Sequence, residues 1–488
     1  MNTRTFNIIR LNGKWLLPIL LISLISTNGC KKFITVDAPI NSTNVGNVFT
    51  DNAIAASVLT GIYTNLSNGN SGGGFGGDFT GLSLIAGMSA DEITLNDLNN
   101  QAYFLYYSNS LLGNSGNIGI ANYWTLTYPY IFTVNSAIEG LTNSVSLTPT
   151  VKNQLLGEAK FMRAFFYFYL VNLYGDVPLC LSSDWKINAA LSRTPASQVY
   201  LQIISDLKDA QKLLSSDYLD ADALTKSTAR VRPSKWVATA LLARVYLYTN
   251  NDFANAETEA TKIIDNPFFQ LVPLNSVFLK NSAEAIWQLQ ATGTGPNSNT
   301  GEGKLFILPA GGPNSGQPVY LSNYVVNSFE AGDQRKTNWT ASVTVGATTY
   351  NYPNKYKIGA VNTTAQEYCI VFRLAEPYLI RAEARAQQNN ISGAQADLNA
   401  IRTRAALPNT TANDKPSLLT AIMQERKVEL FTEWGHRWFD LKRTNTIDAV
   451  METVTPTKNG TWQTTDKLYP IPQSELDKSK QLLQNEGY

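Results

Sequence analysis

Few residues in this chain could carry covalent or metal chemistry. There is one histidine, His436, and there are three cysteines, Cys30, Cys180 and Cys369. A histidine-based zinc site needs two or three placed ligands, and a Ser-His-Asp triad could draw only on His436. No Cys-x-x-Cys pair exists, which removes zinc ribbons and dithiol redox motifs. Asp91 and Glu92 are adjacent acids. Glycoside hydrolysis, however, needs two carboxyls roughly 5–10 Å apart across a sugar, which adjacency in sequence does not establish. Gly72 to Gly77 satisfies G-x-G-x-x-G in letters. It follows a helical pattern rather than a strand, with no βαβ unit around it, and reads as a flexible loop. The run Gly301-Glu-Gly-Lys304 fails as a phosphate-binding loop because position 298 is Ser. The expectation is a protein that catalyses nothing and holds no metal or cofactor.

Charge excludes another class. The chain has 39 basic and 38 acidic residues, a net charge of +1. That balance leaves no footprint for nucleic acid or for an anionic membrane surface. With 488 residues, 44% of them hydrophobic, the chain can build one large domain or two ordinary ones.

The first 29 residues read as an address. Arg4, Arg10 and Lys14 precede an apolar run from Trp15 to Ile25. The run is shorter than the about 20 residues that span a bilayer, as in a secretory signal peptide. It ends at Thr27-Asn-Gly-Cys30, a small residue directly before a lone cysteine, which is what a lipoprotein signal peptidase reads. Cys30 is therefore the expected lipidation site, and several acyl chains would anchor the mature protein stably. Cys180 and Cys369 could pair or remain two buried thiols. The behaviour of cysteine as a small hydrophobe favours the second.

The elements that position everything else are helical. Amphipathic spacing covers 51–66 and 122–141, and 151–174 is apolar on almost every side, so that helix should be deeply buried. A further helix spans 196–214, with Thr194 as its cap and Pro195 in its first turn. Two helix-turn-helix units follow, Ser234 to Asp265 and Leu374 to Arg404. Each has small residues where two helices must approach and a short polar turn between them, like the roughly 34-residue tetratricopeptide unit. Polar, turn-rich insertions at 67–121 and 266–372 interrupt this scaffold, the second with strand-like runs such as 285–290. Loops on a rigid scaffold are the usual place for binding residues.

Several stretches, in order, resemble the SusD/RagB family of outer-membrane nutrient-binding lipoproteins. The clearest is Gly157-Glu-Ala-Lys-Phe-Met-Arg-Ala-Phe-Phe-Tyr-Phe-Tyr-Leu-Val-Asn-Leu-Tyr-Gly-Asp-Val-Pro-Leu179. Cys30 to Asp37, Phe329 to Arg335, Phe372 to Ala384, Asp397 to Arg402, Glu425 to Leu430, Gly435 to Arg443 and Leu468 to Tyr488 are similar to other segments of that family. The resemblance implies a mainly α fold: a tetratricopeptide-like scaffold of about four helical pairs under an irregular, loop-rich region with a few short strands. It implies one such domain over 30–488 and glycan binding. It also implies delivery to a SusC-like TonB-dependent transporter, on which the protein acts as a lid. The RagB branch of the family makes peptide capture the alternative. Lys31 and Lys32 stand where acidic residues favour surface export in some relatives, so a periplasm-facing orientation stays beside the surface-facing one.

Most of the charged residues in these stretches have a structural reading. Glu158, Arg163, Glu383, Arg385, Glu425, Arg426, Arg437 and Asp440 sit among apolar residues and suit buried ion pairs between helices. Arg437 and Asp440, three apart, suit a local pair, and His436 suits packing or capping. For ligand, sugars offer an apolar C–H face and a rim of hydroxyls, so aromatics and Asn, Asp or Arg are the groups to seek. The resemblance puts the glycan site in the loops of the irregular region. The residues there are Asp91, Asn96, Tyr103, Tyr106, Tyr107 and Asn114, then Tyr320 and Asn323.

Overall fold

The longest apolar segment sets the architecture. In the computed structural model, which describes residues 48–68, 81–113, 123–249 and 252–488, it forms one helix, Pro149–Tyr174. Pro149 opens it where no amide partner is needed. Gly175, at φ 74°, ends it in a conformation that costs glycine little. Nearly every side chain from Leu155 to Tyr174 is buried, with Phe161, Phe165, Phe166 and Phe168 fully so.

The other helices stack outward from this one. We label the main helices in chain order: α1 Asn52–Asn68, α2 Leu82–Ser89, α3 Gln101–Tyr107, α4 Tyr123–Asn143, α5 Pro149–Tyr174, α6 Ala196–Leu213, α7 Lys235–Tyr248, α8 Phe253–Ile264, α9 Ala375–Gln387, α10 Ile391–Arg404, α11 Lys415–Glu429, α12 His436–Arg443 and α13 Ile447–Val454. Each of α4 to α10 packs on the next, with α1 against α4 and α5 at one end and α11 against α9 at the other. Neighbours run antiparallel: Lys160 meets Asp209 while Asn172 meets Tyr200 across α5 and α6. The pairs α7–α8 and α9–α10 fall within the two expected helix-turn-helix units, and the fold is mainly α as the pattern predicts. Asp252, Asn390 and Asp414 cap α8, α10 and α11 with their side chains. Among the described residues no helix is long and apolar enough to cross a membrane.

Three small antiparallel sheets lie over this scaffold: β1 Ile93–Leu95 with β3 Val319–Leu321, β2 Ala285–Leu289 with β6 Cys369–Arg373, and the hairpin β4 Thr340–Val345 with β5 Thr348–Pro353. The hairpin turns on Gly346, at φ 61°, the first residue of a two-residue loop.

Some local expectations are corrected. The stretch 67–121 is not all polar insertion, because α2 is buried along its whole length. Its eight residues, Leu-Ser-Leu-Ile-Ala-Gly-Met-Ser, have no charged face to show to water. Thr194 does not cap α6. It pairs with Val177 across an isolated bridge, Pro195 takes the cap position, and the Asp176 carboxylate accepts the Ala196 amide at 2.8 Å. Cys180 and Cys369 are separate buried thiols. Cys30, the leader, Gly72 to Gly77 and Asn114 lie outside the described residues.

Candidate functional site

The strand pair β1–β3 brings together residues more than 200 positions apart. Thr94 stands opposite Tyr320, with Ile93 opposite Leu321 and Leu95 opposite Val319. The alternation of a strand buries Ile93, Leu95, Val319 and Leu321 and turns Thr94 and Tyr320 to the other face. Three further tyrosines meet there. Tyr350, from β5, stands edge-on to Tyr320 with ring centroids 5.1 Å apart and planes at 81°. The Tyr107 hydroxyl, at the end of α3, faces Thr94, Tyr320 and Tyr324; burial first, then these neighbouring phenols, push it up to about 12. Tyr320, Tyr324 and Tyr350 are half-buried, and Asn96 and Asn323 beside them are exposed. The result is a ridge of phenol rings with amides at its edge. Such groups offer apolar faces and neutral hydrogen bonds.

The expected site residues separate in space. Tyr107, Tyr320, Asn96 and Asn323 come to this region. Tyr103 lies four residues before Tyr107 on α3, half-buried. Asp91 and Tyr106 do not face the ridge, whereas Tyr107, as buried as Tyr106 at 7% exposure, does. Asp91 is 2% exposed, and its carboxylate accepts from Arg437 at 2.7 and 2.9 Å and from Lys427 at 3.1 Å. Burial would raise its pKa, but Arg437 and Lys427 outweigh burial and hold it well below the usual carboxylate range. Tyr106 points into the core, edge-on to Tyr469 at 5.5 Å. On a short helix, adjacent residues face directions about 100° apart, so Tyr106 and Tyr107 cannot share a face. Tyr324 and Tyr350 are ridge residues that the sequence pattern does not single out. The only signal is the alternation Thr-Tyr-Asn-Tyr after Gly346, which puts Tyr350 and Tyr352 on one face of a hairpin.

The charged motif residues are ion pairs, as expected. Glu158 meets Arg232, Arg163 meets Asp206, Arg385 meets Asp397 and Glu257, and Arg443 meets Glu383. The expected Arg437–Asp440 pair does not form. Arg437 turns to Asp91, and Asp440 is taken by Arg426 and Arg443 at 2.7 and 2.8 Å. The densest cluster lies beneath the sheets. Arg373 holds Glu429, Glu433 and Glu284; Arg404 holds Glu284 and Glu429; Arg335 holds Glu425, Glu429 and Asp333. Burial would raise Glu429, but Arg404, Arg373 and Arg335 outweigh it and keep the carboxyl far below its ordinary value. His436 is buried beside these groups. Burial, then Arg244, Arg426, Arg373 and Lys355, push its pKa well down, so it is a neutral packed ring.

A stacked antiparallel helical scaffold that carries an irregular region with a tyrosine ridge defines a class of binding scaffold. Comparison with known proteins narrows that class. A model of the SusD family matches residues 288–488, and one described as starch-binding and associating with the outer membrane matches 80–247. The chain is 27% identical to the SusD-like protein P2 of Formosa agariphila over 526 aligned positions, covering 96% of this chain and 98% of that one. A crystal structure of a SusD superfamily protein from Bacteroides vulgatus superposes with a TM-score of 0.75 at 21% identity, covering 90% of this chain and all of the other. A laminarin-binding SusD-like protein gives 0.70 at 23%, covering 90% and 98%. At these identities the structural likeness speaks to the fold. Together the two family models and the SusD-like relatives support the SusD/RagB family.

Proposed function

We propose that this protein is a lipid-anchored glycan-binding protein of the outer membrane. In this reading Cys30 carries the anchor, and the protein hands its ligand to a SusC-like TonB-dependent transporter. The observation that carries the reading is the ridge of Tyr107, Tyr320, Tyr324 and Tyr350 with Asn96 and Asn323 at its rim. Sugar rings stack their C–H faces on such rings, while the amides meet hydroxyls. The description of the family model over 80–247 and the ligand of the laminarin-binding relative support the same reading. These relatives are binding proteins by name, and the ridge needs no catalytic group. Modest affinity is enough for capture, since a millimolar dissociation constant corresponds to only about 4 kcal/mol.

Titration calorimetry of the chain without its leader and Cys30, against a panel of poly- and oligosaccharides, tests this. Heat from one glycan class, with the affinity weakened by Tyr320→Ala or Tyr350→Ala, is the expected result. Silence across the panel would move the assignment to peptides. Copurification of a TonB-dependent transporter with the lipidated protein tests the partner, and loss of membrane association in Cys30→Ser tests the anchor.

A further inference from the structure

The dipeptide Asp91–Glu92 sits where the scaffold meets the tyrosine ridge. On the scaffold side, the Asp91 carboxylate holds Arg437 of α12 and Lys427 of α11. Glu92 accepts the Thr432 amide at 3.1 Å. Thr432 belongs to the link between α11 and α12, where Thr432 (φ 53°), Trp434 (φ 47°) and Gly435 (φ 74°) are all left-handed. That conformation is unfavourable for a β-branched threonine and persists only where its surroundings hold it. Here they are Glu92 on the Thr432 amide, Ser83 on the Trp434 amide at 3.0 Å, and Lys355 and Arg373 on the Glu433 carboxylate. On the ridge side, the same dipeptide gives its two carbonyls to Ser322. The Ser322 hydroxyl donates to Asp91 O, and its amide to Glu92 O at 2.9 Å. Ser322 caps the short helix Asn323–Val326 that carries Tyr324, and it lies two residues after Tyr320.

We propose that Glu92 is a protonation-sensitive joint: while its carboxyl is neutral the ridge is locked to the scaffold, and its ionisation releases β1 and β3. The consequence for ligand rests on the glycan-binding reading; the joint itself does not.

Glu92 is 1% exposed, and among the described residues no cation is bonded to it. The groups that face it are Asp91 on its own segment, Arg437 of α12, Lys427 of α11, Lys355 after β5, the Thr432 amide, and the uncharged Gly87 of α2. Lys458 caps the carbonyls of 88–90 one residue further back. Burial, then the Asp91 charge, push Glu92 up to about 8. Once ionised, Glu92 competes with Asp91 for Arg437. Movement of Asp91 drags the carbonyl that holds Ser322. The phenols do not share this titration, since burial raises both Tyr107 and Tyr320 from their ordinary value. Lys355 and Glu302, each at about 8, and Lys458, which burial lowers to about 7, do share the range. The assignment to Glu92 therefore rests on a variant.

The test is amide hydrogen exchange of 93–95 and 319–324 from pH 6.5 to 9, corrected for intrinsic rates, in wild type and Glu92→Gln. Gln keeps a neutral acceptor for the Thr432 amide. The expected result is a rise of at least tenfold in wild type with a midpoint near pH 8, and a flat profile in the variant. A flat wild-type profile, or the same rise in both proteins, overturns the joint. Should Glu92→Gln not fold, the infrared band of the protonated carboxyl, followed in a Glu302→Gln background, replaces it. The band must vanish with the same midpoint as the exchange rise, and separate midpoints overturn the proposal. Glycan affinity forms a second arm. Loss of affinity above pH 8 in wild type alone extends the joint to binding. No binding at any pH, with the exchange switch intact, overturns the glycan reading and leaves the joint standing.

Discussion

The charge cluster under the sheets and the tyrosine ridge above them obey opposite rules. In the cluster, Arg335, Arg373, Glu284, Glu425 and Glu429 are buried, Arg404 is half-buried with its side chain only 7% exposed, and each charge is matched by more than one opposite one. In the ridge, nothing among the described residues is charged; Tyr320, Tyr324 and Tyr350 are half-buried, and only Tyr107 is buried. A desolvated charge costs several kcal/mol unless it is paired, so the cluster tolerates no loss of a member. A half-exposed phenol has a small folding cost either way, so the ridge is free to be chosen by ligand. Stability and, in the proposed reading, recognition thus live in separate layers, joined at Asp91–Glu92.

The largest effect should come from breaking the cluster. Arg373→Met removes hydrogen bonds to Glu433 at 2.8 Å, Glu284 at 3.1 Å and Glu429 at 2.5 Å, and leaves those carboxylates without one of their cations. The expected loss is about 3–5 kcal/mol in chemical denaturation. Arg385→Ala, whose side chain is one-fifth exposed, is the control and should cost only about 0–1 kcal/mol. If both cost the same small amount, the cluster does not hold the fold.

Next comes a carboxyl that breaks the matching rule. Glu302 is buried and takes the Ser83 hydroxyl at 2.6 Å, with no cation bonded to it among the described residues. Burial is the main cause that raises it to about 8, and Glu433 adds to it. The unfolded chain releases this proton near the ordinary 4.5 while the folded chain keeps it to about 8. Between those values the unfolded state binds fewer protons, so this group makes stability fall as pH rises. From pH 5 to 7 wild type should lose about 2–3 kcal/mol relative to Glu302→Gln, at ~1.4 kcal/mol per pH unit. Parallel pH profiles for the two proteins would show that Glu302 is already ionised.

The two layers also differ in how they are written in the sequence. The helices are legible because their periodicity is local. So are the ion-pair residues, because a charge inside an apolar run such as 157–179 must find a partner to be buried there. The same local logic gives Arg437 the wrong partner: spacing along a helix shows Asp440, while the actual partner, Asp91, lies 346 residues away. The ridge is only half legible. Tyr107 and Tyr320 stand out as loop aromatics, but Tyr106 looks identical to Tyr107, and only the axis of α3 separates them. Tyr324 and Tyr350 join through the β1–β3 pairing and the packing of Tyr350 on Tyr320, neither of which any local pattern encodes.

Within the ridge, rings should outweigh amides. Tyr320→Ala removes one stacking face and should weaken glycan binding by about 1–2 kcal/mol, or roughly 5–30-fold, with little change in denaturation midpoint. An equal loss of stability would place Tyr320 in the scaffold layer instead.

The smallest effect should come from Asn323→Ala. Asn323 is exposed at the start of the helix that Ser322 caps, and its backbone, not its side chain, supports that helix by accepting the Asn327 amide at 3.0 Å. The substitution therefore leaves the joint in place. One neutral hydrogen bond is worth about 0.5–1 kcal/mol net, so binding should weaken roughly two- to fivefold. A loss beyond tenfold would reverse the order of rings and amides. Recognition would then rest on directional hydrogen bonds, as an extended peptide backbone requires. That single ratio, Tyr320 loss against Asn323 loss, discriminates a stacked sugar from a hydrogen-bonded chain on the same ridge.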